Sequence, residues 1–207
     1  VDKTAVEAIN VLTERGEKGG ESFDCVISLS EYELMSAAIV REHFSIAGAT
    51  VAQTDMVRNK LLMKQAVEAA DLVVPQNLSL ADFAVAEQVK WQGDTVLKPV
   101  DGASSENVLV FDSPELLSAA LVNNTTGIEQ LDGGDYDNYQ VEQFITGEIL
   151  HIDGLILNGD LKLVVTSQYI GSCLAFAHGS PLGSVQIETT DEIHQWTADV
   201  LKATELT

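Results

Sequence analysis

With 207 residues, 45 % of them hydrophobic and 21 % charged, and a formal charge of −21 from 32 acids against 11 bases, the sequence excludes several classes of protein at once. Its apolar content can bury enough surface to offset chain ordering, which rules out a disordered chain. Its acidic excess would repel a phosphodiester backbone, which rules out a generic nucleic-acid binder, and no apolar run approaches the roughly 20 residues needed to cross a bilayer.

Residues 4–15 place Val6, Ile9, Val11 and Leu12 near helical spacing, and Gly16 predicts the stop, followed by a polar loop over 17–22. Residues 23–29, FDCVISL, are a short apolar run of strand formers and read as a buried parallel strand. Ser30, with Glu33 three residues on, predicts a capped helix with Leu34, Ala37, Ala38 and Phe44 on its inner face, running to about Gly48. A second helix runs from Asp55 through MVRNKLLMKQAVEAA, with Met56, Lys60, Met63 and Val67 near helical spacing, and ends near Asp71 ahead of Pro75. After a helical patch over 80–91, residues 95–99 make a strand and 108–111 the strand that returns. Ser113 caps a helix to Leu121, with Pro114 at its first position.

Residues 123–138 are polar and glycine-bearing, hence a surface loop or hinge. The last third is β-rich, with apolar segments over 139–145, 150–157 and 161–170, the latter two joined by the hairpin turn Asn158-Gly159-Asp160. A loop over 171–188 and a helix over 191–203 follow. Cys25 and Cys173 are far apart without a CxxC, which predicts two buried small hydrophobes in a reducing compartment, a catalytic thiol being the weaker alternative. His151, His178 and His194 show no zinc-ligand spacing.

Charge is uneven along the chain. Residues 1–98 carry nine bases and fifteen acids, a net of −6, and residues 99–207 two bases and seventeen acids, a net of −15. Six of the eleven bases fall between Arg41 and Lys98. Such a cluster in so acidic a chain marks either an anion site or ordinary surface lysines and arginines.

Three segments carry chemistry. In KPVDGASSENV a strand delivers Lys98, and a small-residue loop of Gly102, Ala103, Ser104 and Ser105 joins it to the next strand. Small residues let backbone amides approach an oxyanion, and hydroxyls and a lysine can complete a phosphate site; a plain turn is the alternative. The loop is neither GxxxxGK[ST] nor GxGxxG. Taken alone, Lys60, in RNKLLMK on the second helix, reads as a solvated helix lysine. In VEQFITGEILHIDG, Glu142 alternates with apolar residues on a strand and can offer its carboxylate to an exocyclic amine. Glu148, His151 and Asp153 follow on an alternating strand, as exposed polar positions or as parts of a site.

Taken in order, MVRNKLLMK, VLKPVDGASSENV and VEQFITGEILHIDGLILNGDLKL resemble the ATP-grasp superfamily of ATP-dependent carboxylate–amine ligases, of the amino-acid ligase or carbamoyl-phosphate-synthase-like kind, over about residues 23–170. The resemblance implies an α/β, ATP-grasp fold. Residues 1–56 would end a preceding Rossmann-like α/β domain, 57–143 would form a helix and a small α+β lid with the phosphate loop, and 144–207 would begin the C-terminal β-rich subdomain.

It implies ATP as the cofactor, held at its phosphates by Lys60 and Lys98, with Ser104 and Ser105 in the loop that closes over them. Glu142 would accept the adenine amino group, backbone near Phe144 and Ile145 would meet the ring, and Glu148 would bond the ribose. It further implies Mg²⁺, bound by acids of an E-x-N type segment expected beyond the C-terminal end of this chain. No catalytic residue is assigned. The chain is then short at both ends against the family pattern: part of a ligase that joins a carboxylate to an amine or other nucleophile through an acyl-phosphate, or a non-catalytic nucleotide-binding or assembly module without the metal acids. Implied partners are ATP and a small carboxylate, with no nucleic acid and no membrane, in a cytoplasmic setting. Oligomeric state, a homo-oligomer included, and the roles of Arg41, His151 and His178 stay open.

Overall fold

The computed structural model describes residues 2–19, 22–157 and 159–206, in two compact units, 1–59 and 60–207. The first unit is helical. Helix α1 (Lys3–Gly19) opens with Asp2 Oδ1 accepting from the Ala5 amide at 2.8 Å. It continues past Gly16, where a stop was expected. Mid-helix glycine costs only about 1 kcal/mol, and Gly16 keeps an ordinary φ instead of the left-handed value of a C-terminal stop. Of the expected polar loop, Gly20 and Glu21 lie outside the described residues.

The expected buried strand over 23–29 does not form. The segment is unpaired, with Ile27 75 % and Leu29 98 % exposed. A strand requires a ladder partner, and the described residues of this unit contain no other strand. The Val26 carbonyl instead accepts from Arg41 Nε at 3.0 Å, while Arg41 Nη1 reaches the Ala49 carbonyl at 3.0 Å. Arg41 thus holds backbone. Cys25, expected to be buried, is exposed, and Cys173 is half-buried.

Glu31–Glu33 forms a 3-10 turn in which Ser30 makes no side-chain cap, so α2 (Leu34–Phe44) starts later than the Ser30–Glu33 spacing predicts. Its buried face is Ser36, Ala37, Ala38 and Val40, and Ser36 Oγ donates to Asp2 Oδ2 at 2.8 Å. Helix α3 (Val51–Arg58) begins in a Thr50–Gln53 capping box. The single helix expected from Asp55 to Asp71 is interrupted at Asn59, whose ψ of 102° is extended.

The second unit begins with α4 (Lys60–Ala69), whose first amide donates to the Val100 carbonyl at 3.0 Å. That bond replaces the helical one and fixes the break. Then come β1 (Asn77–Ser79), α5 (Leu80–Val85), β2 (Thr95–Pro99), β3 (Leu109–Phe111), α6 (Pro114–Val122), α7 (Glu129–Asp132) and β4 (Tyr139–Gln143). Helix α6 has Ser113 as its cap and Pro114 at its start, as the sequence predicts. The helix expected over 80–91 stops at Val85, because Trp91 turns into the core and donates from Nε1 to Thr95 Oγ1 at 3.0 Å.

The four strands form an antiparallel sheet in the order β1-β4-β2-β3. Because side chains alternate, one face carries Leu97, Tyr139 and Val141 into a core with Leu80, Phe83, Leu117, Leu121 and Leu131. Its other face is polar, and Lys64 of α4 is bound to it.

Strands β5 (Leu150–Leu157) and β6 (Asp160–Ile170), helix α8 (Cys173–Ala177), strand β7 (Gly183–Ile187) and helix α9 (Asp191–Ala203) complete the chain. The three strands form an antiparallel sheet in chain order, with a bulge at Leu155/Ile156. Within the hairpin turn Gly159 has a φ of +80°, while Asn158 lies outside the described residues. Among the described residues no helix is long and apolar enough to cross a membrane.

Candidate functional site

Strand β4 lies between β1 and β2, with Glu142 opposite Val96 and Gln140 opposite Lys98. Gln140 and Glu142 therefore share the polar face with Lys98. Both are buried, an unusual fate for a carboxylate that is met only when it is paired. Glu142 has two partners: Lys64 donates to its Oε2 and Lys98 to its Oε1. Lys64 also donates to Gln140 Oε1 at 2.9 Å. That bond fixes the Gln140 amide, since a swap would turn its NH₂ onto an ammonium. Gln140 Nε2 has no partner among the described residues.

Two ammoniums on one carboxylate leave an excess positive charge in a chain of −21. Burial pushes the Glu142 carboxyl upward, but Lys98 and Lys64 together outweigh it and hold the group below its usual range, so it is ionised at neutral pH. For Lys64 burial dominates, and despite Glu142 the ammonium lies below the ordinary lysine value.

Lys60 stands one turn before Lys64 on α4. Its Nζ donates to the carbonyls of Gly102 at 2.5 Å and Val100 at 3.3 Å, at the base of the small-residue loop. That base is also tied by Val100 N to Asn138 O at 2.8 Å and by Asn138 Nδ2 to Asp101 Oδ1 at 2.7 Å. Gly102 packs closely there, and a Cβ would sit 3.0 Å from Pro99 Cβ, so a larger residue would need the proline to shift. Ser104 (φ 54°) and Ser105 (φ 58°) adopt the left-handed region, at a cost of roughly 1 to 2 kcal/mol each for residues with a Cβ. Ser104 is exposed and Ser105 half-buried.

After β4 the chain leaves the sheet. Phe144 donates its amide to Asp94 O at 2.9 Å, and Phe144, Ile145 and Glu148 are exposed. The structure thus brings Lys98 and Glu142 together and sets Lys60 against the loop. Among the described residues, Ser104, Ser105, Phe144, Ile145 and Glu148 are not hydrogen-bonded to Lys98 or Glu142.

His151 lies on the second sheet. Its Nε2 is 2.8 Å from Ser184 Oγ, its Nδ1 3.5 Å from Asp153, and its ring stacks on Tyr169 at 4.5 Å. No group of three or more His, Cys, Asp or Glu that could hold a metal occurs among the described residues. A cavity of about 420 Å³, lined by Gln65, Glu68, Asn77, Leu78, Lys90 and Trp91 among others, contains none of the expected site residues.

Sequence reasoning missed Lys64 and Gln140. Lys64 is four residues after Lys60 and three before Val67, and so falls on the stripe that faces the sheet. Gln140 is two before Glu142, hence on the same face of the strand.

No family model matches the chain. The L-arginine-specific L-amino acid ligase of Bacillus subtilis is 24 % identical over 151 residues, covering 71 % of this chain and 36 % of that protein. The crystal structure of an L-amino acid ligase from Bacillus licheniformis matches with a TM-score of 0.69 and 20 % identity, covering 98 % of this chain and 47 % of that one. D-alanine–D-alanine ligase from Bacillus anthracis matches with a TM-score of 0.59 and 16 % identity, over 99 % of this chain and 65 % of that one. The same enzyme complexed with ATP matches at a TM-score of 0.50 with 13 % identity, over 98 % of this chain and 73 % of that one. The chain spans about a third of the curated relative's length and about half of the solved L-amino acid ligase. The likeness to these solved structures is one of fold, over part of each one's length.

Proposed function

We propose that the chain is the ATP-binding part of a ligase that joins a carboxylate to an amine or other nucleophile through an acyl-phosphate. The observation that carries this reading is that Lys98 and Lys64 share the buried Glu142 carboxylate while Lys60, one turn before Lys64, reaches a carbonyl at the base of the phosphate-type loop. Three of the chain's eleven bases collect there, which favours a polyanion. The likeness to L-amino acid ligases, and to a D-alanine–D-alanine ligase solved with ATP, supports a nucleotide as that polyanion.

Lys98 and Lys60 hold the phosphates, and Ser104 and Ser105 cover them. Glu142 accepts the adenine amino group, backbone at Phe144 and Ile145 meets the ring, and Glu148 bonds the ribose. In the reaction a carboxylate oxygen attacks the γ-phosphorus and ADP departs. The amine then attacks the acyl carbon, phosphate leaves with the C–O electron pair, and the amine gives up a proton. Lysines near the transferring group offset its charge, and a covering loop keeps water from the acyl-phosphate. Mg²⁺ accompanies ATP in this reading.

Titration calorimetry with ATP tests the assignment: Lys98→Ala should weaken binding at least tenfold, and unchanged affinity refutes it. ADP release with a panel of amino acids then separates a ligase from a binding module.

A further inference from the structure

The two lysines on Glu142 are not equivalent. Lys64 is 7 % exposed and has a second acceptor in Gln140 Oε1, so it is satisfied on the spot and shut off from solvent. Lys98 is more exposed, holds the other oxygen of Glu142, and stands two residues before Val100, where the loop base begins. An anion settling at the loop can recruit Lys98, whereas Lys64 cannot follow. If Lys98 were the sole partner of Glu142, its departure would strand a buried carboxylate, which is strongly unfavourable.

We infer that Lys64 is a positioning residue, the resident counter-ion that keeps Glu142 in place so that Lys98 can exchange from Glu142 Oε1 to an incoming polyphosphate. The exchange vacates Oε1, the acceptor that an adenine amino group requires, so the two ends of a nucleotide assist each other through one carboxylate. This rests on the nucleotide reading above and adds to it a residue and an order of events.

The test uses the 207-residue chain with ¹³C-labelled glutamate, inorganic tripolyphosphate as the probe without a base, and ATP as the probe with one. In the wild-type chain saturating tripolyphosphate should move the Glu142 carboxyl resonance, assigned from Glu142→Gln, and raise its titration midpoint as one cation leaves. Lys64→Met should weaken tripolyphosphate binding about tenfold, because Glu142 then retains Lys98. Lys64→Arg should keep wild-type affinity. The double variant Lys64→Met, Glu142→Gln, in which nothing claims Lys98, should return to within about threefold of wild type; a merely structural role for Lys64 would leave it as weak as the single variant. A double variant as weak as Lys64→Met overturns the inference, and so does a Glu142 resonance that stays still while tripolyphosphate or ATP binds. Absence of ATP binding by the wild-type chain removes the nucleotide reading and the exchange with it. Should Lys64→Met fail to fold, the wild-type resonance and the double variant decide.

Discussion

Replacing Glu142 by glutamine keeps the shape of the side chain and removes the charge that two ammoniums share. Breaking a buried ion pair by deleting one partner typically costs about 3 to 5 kcal/mol, because a buried charge is left uncompensated. Here Lys98, 22 % exposed, can turn to water, and an exposed pair contributes little. Lys64, 9 % exposed at its side chain, cannot, and keeps only neutral acceptors, Gln140 Oε1 and the new amide oxygen. The expected loss is therefore near the lower end, about 3 kcal/mol. With a urea slope of about 2 kcal/mol/M, the midpoint at pH 7 should fall by about 1.5 M.

Acid supplies the control. The folded carboxyl lies below the ordinary 4.5, so its stabilisation is complete above that value and is lost as pH falls through the lowered folded value. The gap between wild type and Glu142→Gln should accordingly close at the acid end. The Lys64 contribution runs in the other window: its folded value lies below 10.5, so stability gains as pH rises from the folded value towards 10.5. A midpoint shift under about 0.3 M at pH 7, or a gap that persists through acid, refutes the assignment of Glu142 as the paired centre of this face.

On the apolar face of the same sheet, Leu97→Ala should cost about 3 kcal/mol in urea melts, because Leu97 is fully buried against the core and truncation leaves a cavity. Asp132 accepts from Thr126 Oγ1 at 2.7 Å, Thr126 N at 2.8 Å and Gly127 N at 3.0 Å, and its carboxyl is held below 3.8, chiefly by the Thr126 hydroxyl. Carboxyl NMR should show Asp132 titrating below 3.8 and rising towards it in Thr126→Val. Its stabilisation is present above 3.8 and disappears as pH falls through the lowered value.

The parts of this fold written in local pattern were readable. Ser113 with Pro114 places α6, and the alternation of Val141 and Glu142 places a strand with one polar face, because caps and period-2 alternation depend on neighbours in sequence. What depends on distant partners was not. Residues 23–29 have strand composition but no ladder partner among the described residues, and the break at Asn59 is set by the Val100 carbonyl, forty residues past Lys60. The same limit applies at the site. Lys98 and Glu142 stand out as residues, but only tertiary structure shows that they bind each other and that Lys64 is the third member. A buried lysine on a helix stripe is indistinguishable in sequence from a snorkelling surface lysine.

A nucleotide held between the 102–105 loop and the segment leaving β4 would perturb the backbone amides of both. Mapping ATP-induced amide shifts on the ¹⁵N-labelled chain tests this placement most directly. The largest changes are expected at Gly102 to Ser105, with a second group at Phe144 to Glu148. Changes centred instead on the Trp91-lined cavity, or none at saturating ATP, would contradict it.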